Sequence, residues 1–124
     1  MAKLDPGLLD ALAQRSREQP VAALNGLVRF DIAEGQSVER WYLHCRKGVV
    51  TVALEGGEPD CVMTGDLATF TAVLSGGTNP MPALLRGRLQ IEGDFFLLLG
   101  LRQYFPHEEM VRDQPAAGYA RRQS

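Results

Sequence analysis

The sequence lacks a long run of apolar residues. Its longest strongly apolar stretch, residues 95–101, has seven positions, whereas a membrane-spanning helix needs about 20. The N-terminus has no positively charged start followed by an extended apolar segment, so we expect no secretory signal peptide. With 124 residues, the chain is predicted to form one small cytoplasmic domain with a hydrophobic core of its own.

Cysteine is scarce, and no charge of one sign dominates. Only Cys45 and Cys61 occur, both within apolar stretches. Their spacing matches no zinc-binding pattern, and two cysteines do not make a disulfide framework. We therefore predict buried thiols in a reducing compartment, with no metal and no other cofactor. The formal net charge is -2, and the absence of a basic stripe predicts no nucleic-acid partner.

The first half of the chain contains one helical pattern followed by alternating patterns. A helix begins at Asp5-Pro6, where the aspartate can cap it, and ends before Pro20. Apolar and polar residues then alternate in three segments separated by short polar breaks, which predicts an antiparallel meander. These strand segments are residues 26–33, 38–46 and 49–54.

The second half mixes short helices and strands. Its predicted elements are a fourth strand at 60–64, helices at 67–74 and 80–85, a fifth strand at 88–92 and a last helix at 95–105. The order of helix, four strands, two helices, strand and helix predicts an α/β protein of the α+β type. Residues 1–106 form the predicted domain, and the polar residues 107–124 are predicted to be a loose tail that could contact a protein partner.

Two strand-to-helix junctions repeat the same dipeptide. Gly65-Asp66 and Gly93-Asp94 each stand where a strand pattern changes into a helix pattern. Glycine relaxes the backbone, and aspartate caps the exposed amides of the helix start. Because the aspartate itself fills the position that an anion would take, these junctions are interpreted as caps and not as phosphate cradles.

Candidate catalytic groups are few. His107-Glu108-Glu109 resembles the start of a zinc-protease motif, but Val111 stands where the second histidine is required. Cys61 could meet His44 across strands, although no third group that would orient such a pair is evident. We therefore predict no catalytic residue and a non-enzymatic function.

The last helix is apolar almost all round, which is unusual for a surface helix. Residues 95–101 contain six large apolar side chains and one glycine, Gly100. Such a helix needs apolar surroundings on two sides: the sheet on one, and other helices, a partner subunit or an apolar ligand on the other. Gly100 marks either a close approach of a neighbouring segment or a weak point at which the helix end opens at a membrane.

The sequence resembles the sterol carrier protein family, also called non-specific lipid-transfer proteins, over about residues 26–105. The resemblance rests on the order and spacing of several pieces. They are Gly65-Asp66 before a helix with Phe70 and Leu74, the run Gly76-Gly77-Thr78-Asn79-Pro80, the run Gly87-Arg88-Leu89-Gln90-Ile91-Glu92-Gly93-Asp94, and the leucine-rich helix.

The resemblance implies a five-stranded, mostly antiparallel sheet covered on one face by four to five helices, with a hydrophobic tunnel for fatty acyl chains, sterols or similar molecules. Because the chain ends in Arg-Arg-Gln-Ser and not in a peroxisomal signal, it looks like a stand-alone bacterial relative. By analogy, the predicted tunnel lining is Trp41, Leu43, Val50, Val52, Met63, Phe70, Leu74, Met81, Leu84, Leu85, Phe96 and Leu99.

Three hypotheses about function follow. The first is a non-catalytic carrier that binds a lipid or another apolar small molecule and makes transient membrane contact. The second is an accessory or scaffold protein in isoprenoid-quinone synthesis. The third is a small thioesterase or isomerase that uses Cys61, His44 or Asp66.

Overall fold

The fold is a five-stranded sheet with helices packed against it. The computed structural model describes residues 3–77 and 79–106. The strands are β1 (Gly26–Glu34), β2 (Ser37–Arg46), β3 (Val49–Ala53), β4 (Cys61–Asp66) and β5 (Leu89–Gly93), and the helices are α1 (Pro6–Glu18), α2 (Leu67–Ser75), α3 (Pro80–Leu85) and α4 (Phe95–Leu101). A short 3-10 turn, Arg102–Tyr104, follows α4. The predicted order of elements and the α+β class are confirmed.

The first three strands form the predicted meander. β1 pairs antiparallel with β2, and β2 pairs antiparallel with β3. Lys47 and Gly48 form the turn between β2 and β3 with φ angles of 50° and 86°. Positive φ at both central residues is the geometry whose twist suits a two-residue hairpin.

The fourth strand crosses over the sheet. β4 lies beside β1 and runs parallel to it, so the strand order is β3-β2-β1-β4-β5. β5 then pairs antiparallel with β4. Pairing with β1 aligns Cys61 with Val28 and Met63 with Phe30, and all four side chains are buried. The central position of β1 therefore concentrates apolar side chains on the helix-covered face.

Short polar side chains begin the helices as the sequence predicts. The carboxylates of Asp5, Asp66 and Asp94 accept hydrogen bonds from backbone N–H groups in the first turns of α1, α2 and α4. The side chain of Asn79 does the same for α3. Each bond satisfies an N–H group that has no partner within its helix.

The last helix is shorter than predicted. α4 ends at Leu101, and the chain continues through the 3-10 turn to Phe105, which is extended with φ -76° and ψ 145°. Pro106 explains this difference, because a proline disfavours the helical conformation in the residue before it.

Buried polar groups attach α1 and the 3-10 turn to the β2–β3 hairpin. The Ser16 hydroxyl donates to the backbone oxygen of Ala13 and accepts from the Val50 N–H at 2.9 Å. The Tyr104 hydroxyl donates to the Gly48 oxygen at 2.7 Å. α1 thus covers the edge strand β3, and its buried leucines belong to the core. Within residues 3–77 and 79–106, no helix is both long and apolar enough to cross a membrane.

Candidate functional site

An apolar cleft lies between α3, α4 and the edge strand β5; we call it the α3–α4 cleft. Its walls come from the two helices, from β4 and β5, and from the segment after α4. Nine of its ten lining residues carry apolar side chains, and the tenth is an arginine. The lining residues are Met63, Pro80, Met81, Leu84, Leu89, Ile91, Leu98, Leu99, Arg102 and Phe105.

The α3–α4 cleft is nearly closed. Its cavity volume is about 10 Å³, which is close to the space that one water molecule needs. An apolar wall offers a water molecule no hydrogen-bond partner, so this space suits hydrocarbon better than water. Met63 on β4 and Met81 on α3 both line the cleft, and the flexible, unbranched methionine side chain adapts readily to a change in the shape of a cavity.

A short helix forms the outer wall of the cleft. The Asn79 side chain accepts a hydrogen bond from the Met81 N–H at 3.0 Å and so begins α3. At the other end, the Gly87 N–H donates to the Leu84 oxygen at 3.0 Å, and the positive φ of Gly87 turns the chain into β5. Ala83 is the only buried residue among the six residues of α3. The outer wall is therefore attached to the domain by little apolar contact.

The opposite wall is the all-round apolar helix α4. β5 ends just before this helix at Gly93, whose φ is 95°; a Cβ there would lie 2.3 Å from the Asp60 backbone oxygen, so a side chain does not fit. Leu97, Leu98 and Leu101 are all buried, and of these three only Leu98 also lines the cleft. One helix thus supplies apolar side chains both to the core and to the cleft, which explains why it is apolar almost all round.

The structure brings four of the twelve predicted tunnel residues together around the α3–α4 cleft, namely Met63, Met81, Leu84 and Leu99. Four others, Leu43, Val50, Phe70 and Leu74, are buried in the main core, and Trp41 and Val52 pack against it while half-buried. Leu85 and Phe96 lie on the surface with 82% and 80% of their area exposed. These last two therefore lie outside the cavity in this conformation.

Six lining residues were missed by the sequence analysis: Pro80, Leu89, Ile91, Leu98, Arg102 and Phe105. The alternation of apolar residues along β5 could have identified Leu89 and Ile91 as lining residues, because both positions face the covered side of the sheet. No sequence pattern identifies Arg102 as a lining residue, since its place in the cleft depends on the 3-10 turn that follows α4.

A wider and more polar cleft adjoins the apolar one. Its volume is about 450 Å³, and it shares Pro80, Arg102 and Phe105 with the α3–α4 cleft. Its other lining residues are Gln19, Asn79, Gln103 and Pro106. The positively charged side chain of Arg102 therefore lies where the apolar cleft meets a polar opening.

The cysteine and histidine named as catalytic candidates lie on opposite faces of the sheet. His44 is exposed between the buried Leu43 and Cys45 on β2, and its Nε2 atom lies 3.5 Å from the Glu55 backbone oxygen. Cys61 is buried on the covered face, and burial raises the pKa of its thiol to about 11. A neutral thiol without a basic partner is a poor nucleophile at neutral pH.

Asp66, the third candidate, has a structural partner. Hydrogen bonds from the Thr69 hydroxyl and the Thr69 N–H lower the pKa of its carboxyl, as expected for a helix cap. Among the residues that the structure describes, no group of three or more His, Cys, Asp or Glu side chains could hold a metal ion. The segment His107-Glu108-Glu109 and the predicted tail 107–124 lie outside the described residues.

The chain is similar to one curated protein and to several solved structures. It is 27% identical over 92 residues to sterol carrier protein 2 of Gallus gallus; the match covers 72% of this chain and 17% of the chicken protein. The structure of palmitated SCP2L2 from Aedes aegypti superimposes with a TM-score of 0.66 at 20% identity, covering 82% of this chain and 93% of the mosquito chain.

The same fold also occurs as part of an enzyme structure. A sec-alkyl sulfatase superimposes with a TM-score of 0.67 at 17% identity, and the match covers 83% of this chain but only 16% of the sulfatase chain. The described fold therefore makes up most of one solved chain and a small part of another. A family model described as the SCP-2 sterol transfer family matches residues 8–106, and the chain belongs to this family.

Proposed function

We propose that the protein binds an apolar ligand, such as a fatty acyl chain, in the α3–α4 cleft and carries or presents it without catalysing a reaction. The observation that carries this proposal is a cleft with nine apolar lining residues in a member of the SCP-2 sterol transfer family. The palmitated mosquito relative has the same fold, and this similarity supports an acyl chain as the ligand class.

The ligand requires the cleft to widen. A cavity volume of about 10 Å³ is close to the space that one water molecule needs, which is far too small for a chain of about sixteen carbons. α3 is the wall that can move, because Ala83 is its only buried residue. An outward shift of α3 separates Met81 and Leu84 from β5 and opens the space between them.

Apolar burial supplies enough free energy for this binding. A tail of about sixteen carbons gains roughly 0.8 kcal/mol per buried methylene, about 12 kcal/mol in total. Association costs at least about 4 kcal/mol, and the net value of about 8 kcal/mol corresponds to micromolar affinity. Arg102, at the polar opening of the cleft, favours a ligand whose head carries negative charge.

The side chains named as catalytic candidates support a non-enzymatic role. The Cys61 thiol has a raised pKa, and the Asp66 carboxylate caps α2.

The state of the cysteines bears on where the protein acts. Both cysteines are free and buried, which suits a reducing compartment, and we propose a cytoplasmic location.

Native mass spectrometry of freshly purified protein and displacement of a fluorescent fatty acid test this proposal. The copurified mass identifies the ligand class. Leu99→Trp fills the cleft and should weaken probe binding at least about tenfold. The matched control Leu54→Trp changes an exposed leucine beyond β3 and should leave affinity unchanged. Equal affinity in both variants, or no saturable binding of fatty acids, acyl-CoAs, sterols or quinones, would contradict the proposal.

A further inference from the structure

Two large apolar side chains are exposed on the helices that border the α3–α4 cleft. Leu85 ends α3, directly after the lining residue Leu84, and Phe96 lies one turn before the lining residue Leu99 on α4. Burying such side chains against an apolar surface is favourable, so a partner that covers this end of the cleft would be stabilised by both of them. We define the cleft rim as Met81, Leu84, Leu85, Phe96 and Leu99, all of them partly or largely exposed.

Positive charge accompanies the cleft rim. Arg86 and Arg88 are exposed directly beyond Leu85, and Arg102 lies at the other end of α3, beside Pro80. None of these arginines forms an ion pair with any carboxylate of residues 3–77 and 79–106. Arg88 does act on Asp66 from a distance, since its charge contributes to the lowered pKa of that carboxyl.

The acidic side chains near the cleft rim belong to β5 and to the start of α4. Glu92 and Asp94 are exposed, and the Asp94 carboxylate accepts hydrogen bonds from the N–H groups of Phe96 and Leu97. The positive end of the helix dipole reduces the effect of this carboxylate on the surface. The α3 side of the rim is thus apolar and cationic.

From this combination we propose that the cleft rim docks on an anionic lipid bilayer. Leu85 and Phe96 enter the headgroup region, and Arg86 and Arg88 contact lipid phosphates. The inference rests on the proposed function, because a cleft that opens against a bilayer lets an apolar ligand pass between protein and membrane without crossing water.

The other helical surfaces offer less apolar area to a bilayer. Of the three leucines of α1, Leu9 and Leu12 are fully buried in the core, and Leu8 is partly buried against it. Leu101, Tyr104 and Phe105, at the end of α4 and in the segment directly after it, are buried as well. A membrane contact through the residues after Gly100, one of the two roles that the sequence suggested for that glycine, would require these side chains to leave the core.

Flotation with vesicles tests this docking surface. Vesicles of phosphatidylcholine with about one-third phosphatidylglycerol should bind the protein, and pure phosphatidylcholine vesicles should bind it more weakly. The double variant Arg86→Gln/Arg88→Gln should weaken binding to the anionic vesicles about twenty-five-fold, since each basic residue near the surface contributes roughly fivefold. The matched control Arg17→Gln/Arg46→Gln removes two exposed arginines elsewhere and should change binding less than about twofold.

The apolar contribution is tested in the same assay. Leu85→Ser/Phe96→Ser should weaken vesicle binding at least about tenfold, whereas Val38→Ser/Leu54→Ser should not. Val38 and Leu54 are the two other large apolar residues that are exposed within residues 3–77 and 79–106. Equal losses in the test and control variants, or no vesicle binding by the wild type, would overturn the proposal. A wild-type dimer that becomes monomeric in Leu85→Ser/Phe96→Ser would overturn it in favour of a second copy of the chain.

Ligand binding in solution separates this inference from the proposed function. Arg86→Gln/Arg88→Gln should bind a fluorescent fatty acid as tightly as the wild type while losing vesicle binding, because neither arginine lines the α3–α4 cleft. Vesicle binding without fatty-acid binding by the wild type would refute the proposed function and leave the docking surface intact. Fatty-acid binding without vesicle binding would refute the docking surface alone.

Discussion

Two leucines one turn apart on α4 distinguish a ligand cleft from an ordinary packed core. Leu98 is buried and lines the α3–α4 cleft, whereas Leu101 is buried in the core and does not line the cleft. Both are leucines on one helix, so Leu98→Ala and Leu101→Ala remove the same atoms. Any difference between them reports the surroundings of the side chain.

The loss of stability expected for each leucine-to-alanine substitution is the sum of a transfer free energy and a cavity contribution. Removing three carbons loses about 2.4 kcal/mol of transfer free energy, at about 0.8 kcal/mol per carbon. At Leu101 a closed cavity of about 70 Å³ adds about 1.5 kcal/mol, for a total near 4 kcal/mol. At Leu98 the new space joins the existing cleft, so the cavity term is small and we expect a loss of about 2 kcal/mol.

Urea denaturation and a series of fatty acids of increasing length provide the assays. Leu98→Ala should be about 2 kcal/mol more stable than Leu101→Ala. It should also shift the tightest-binding chain length upward by roughly two or three methylenes, because it removes three carbons from the cleft wall. Leu101→Ala should leave that length unchanged. Equal losses of stability with an unshifted length profile in both variants would refute the assignment of this cleft as a ligand site.

Two further predictions concern α4 and α2. Gly100→Ala should destabilise the wild type by about 1 kcal/mol in urea unfolding, because the new Cβ would lie 2.7 Å from Leu24 Cδ1 and overpacking outweighs the gain in helix propensity. In a Leu24→Ala background the same change should stabilise by about 1 kcal/mol, and stabilisation in both backgrounds would identify Gly100 as a weak point of the helix. Asp66→Ala should cost about 1 kcal/mol at pH 7, and Asp66→Asn should cost little. Because the folded pKa of Asp66 is lowered from 3.8, its contribution is present above that pH and is lost as the pH falls through the folded value; a difference between wild type and Asp66→Asn that does not shrink in acid would contradict this account.

Helix starts and strand order along the chain could be predicted because they depend on neighbours in sequence. A cap such as Asp66 needs only the amide of Thr69, three residues away, and the meander needs only short turns such as Lys47-Gly48. The end of α4 could also have been predicted, because Pro106 disfavours the helical conformation at Phe105, its neighbour in sequence. These features were within reach of sequence reasoning even where the boundary was misplaced.

The candidate site was predicted less completely, because an apolar residue in the core and one in a cleft have the same sequence signal. Phe70 and Met63 both lie inward, yet only Met63 reaches the α3–α4 cleft. Phe96 belongs to the same apolar run as Leu98 but points to solvent. Which side of α4 meets the sheet depends on contacts with residues far away along the chain, such as the contact of Gly100 with Leu24.

The sequence by itself determined the set of elements, their caps and the family resemblance, since local backbone preferences and periodicity act over a few residues. Only the tertiary structure decided that β4 lies parallel beside β1, that α3 and α4 enclose a cleft with β5, and that Leu85 and Phe96 remain exposed at its rim. Hydrophobic burial is non-directional and drives every apolar side chain out of water alike. Which of them face the core, the cleft or solvent is therefore fixed by how the elements pack together.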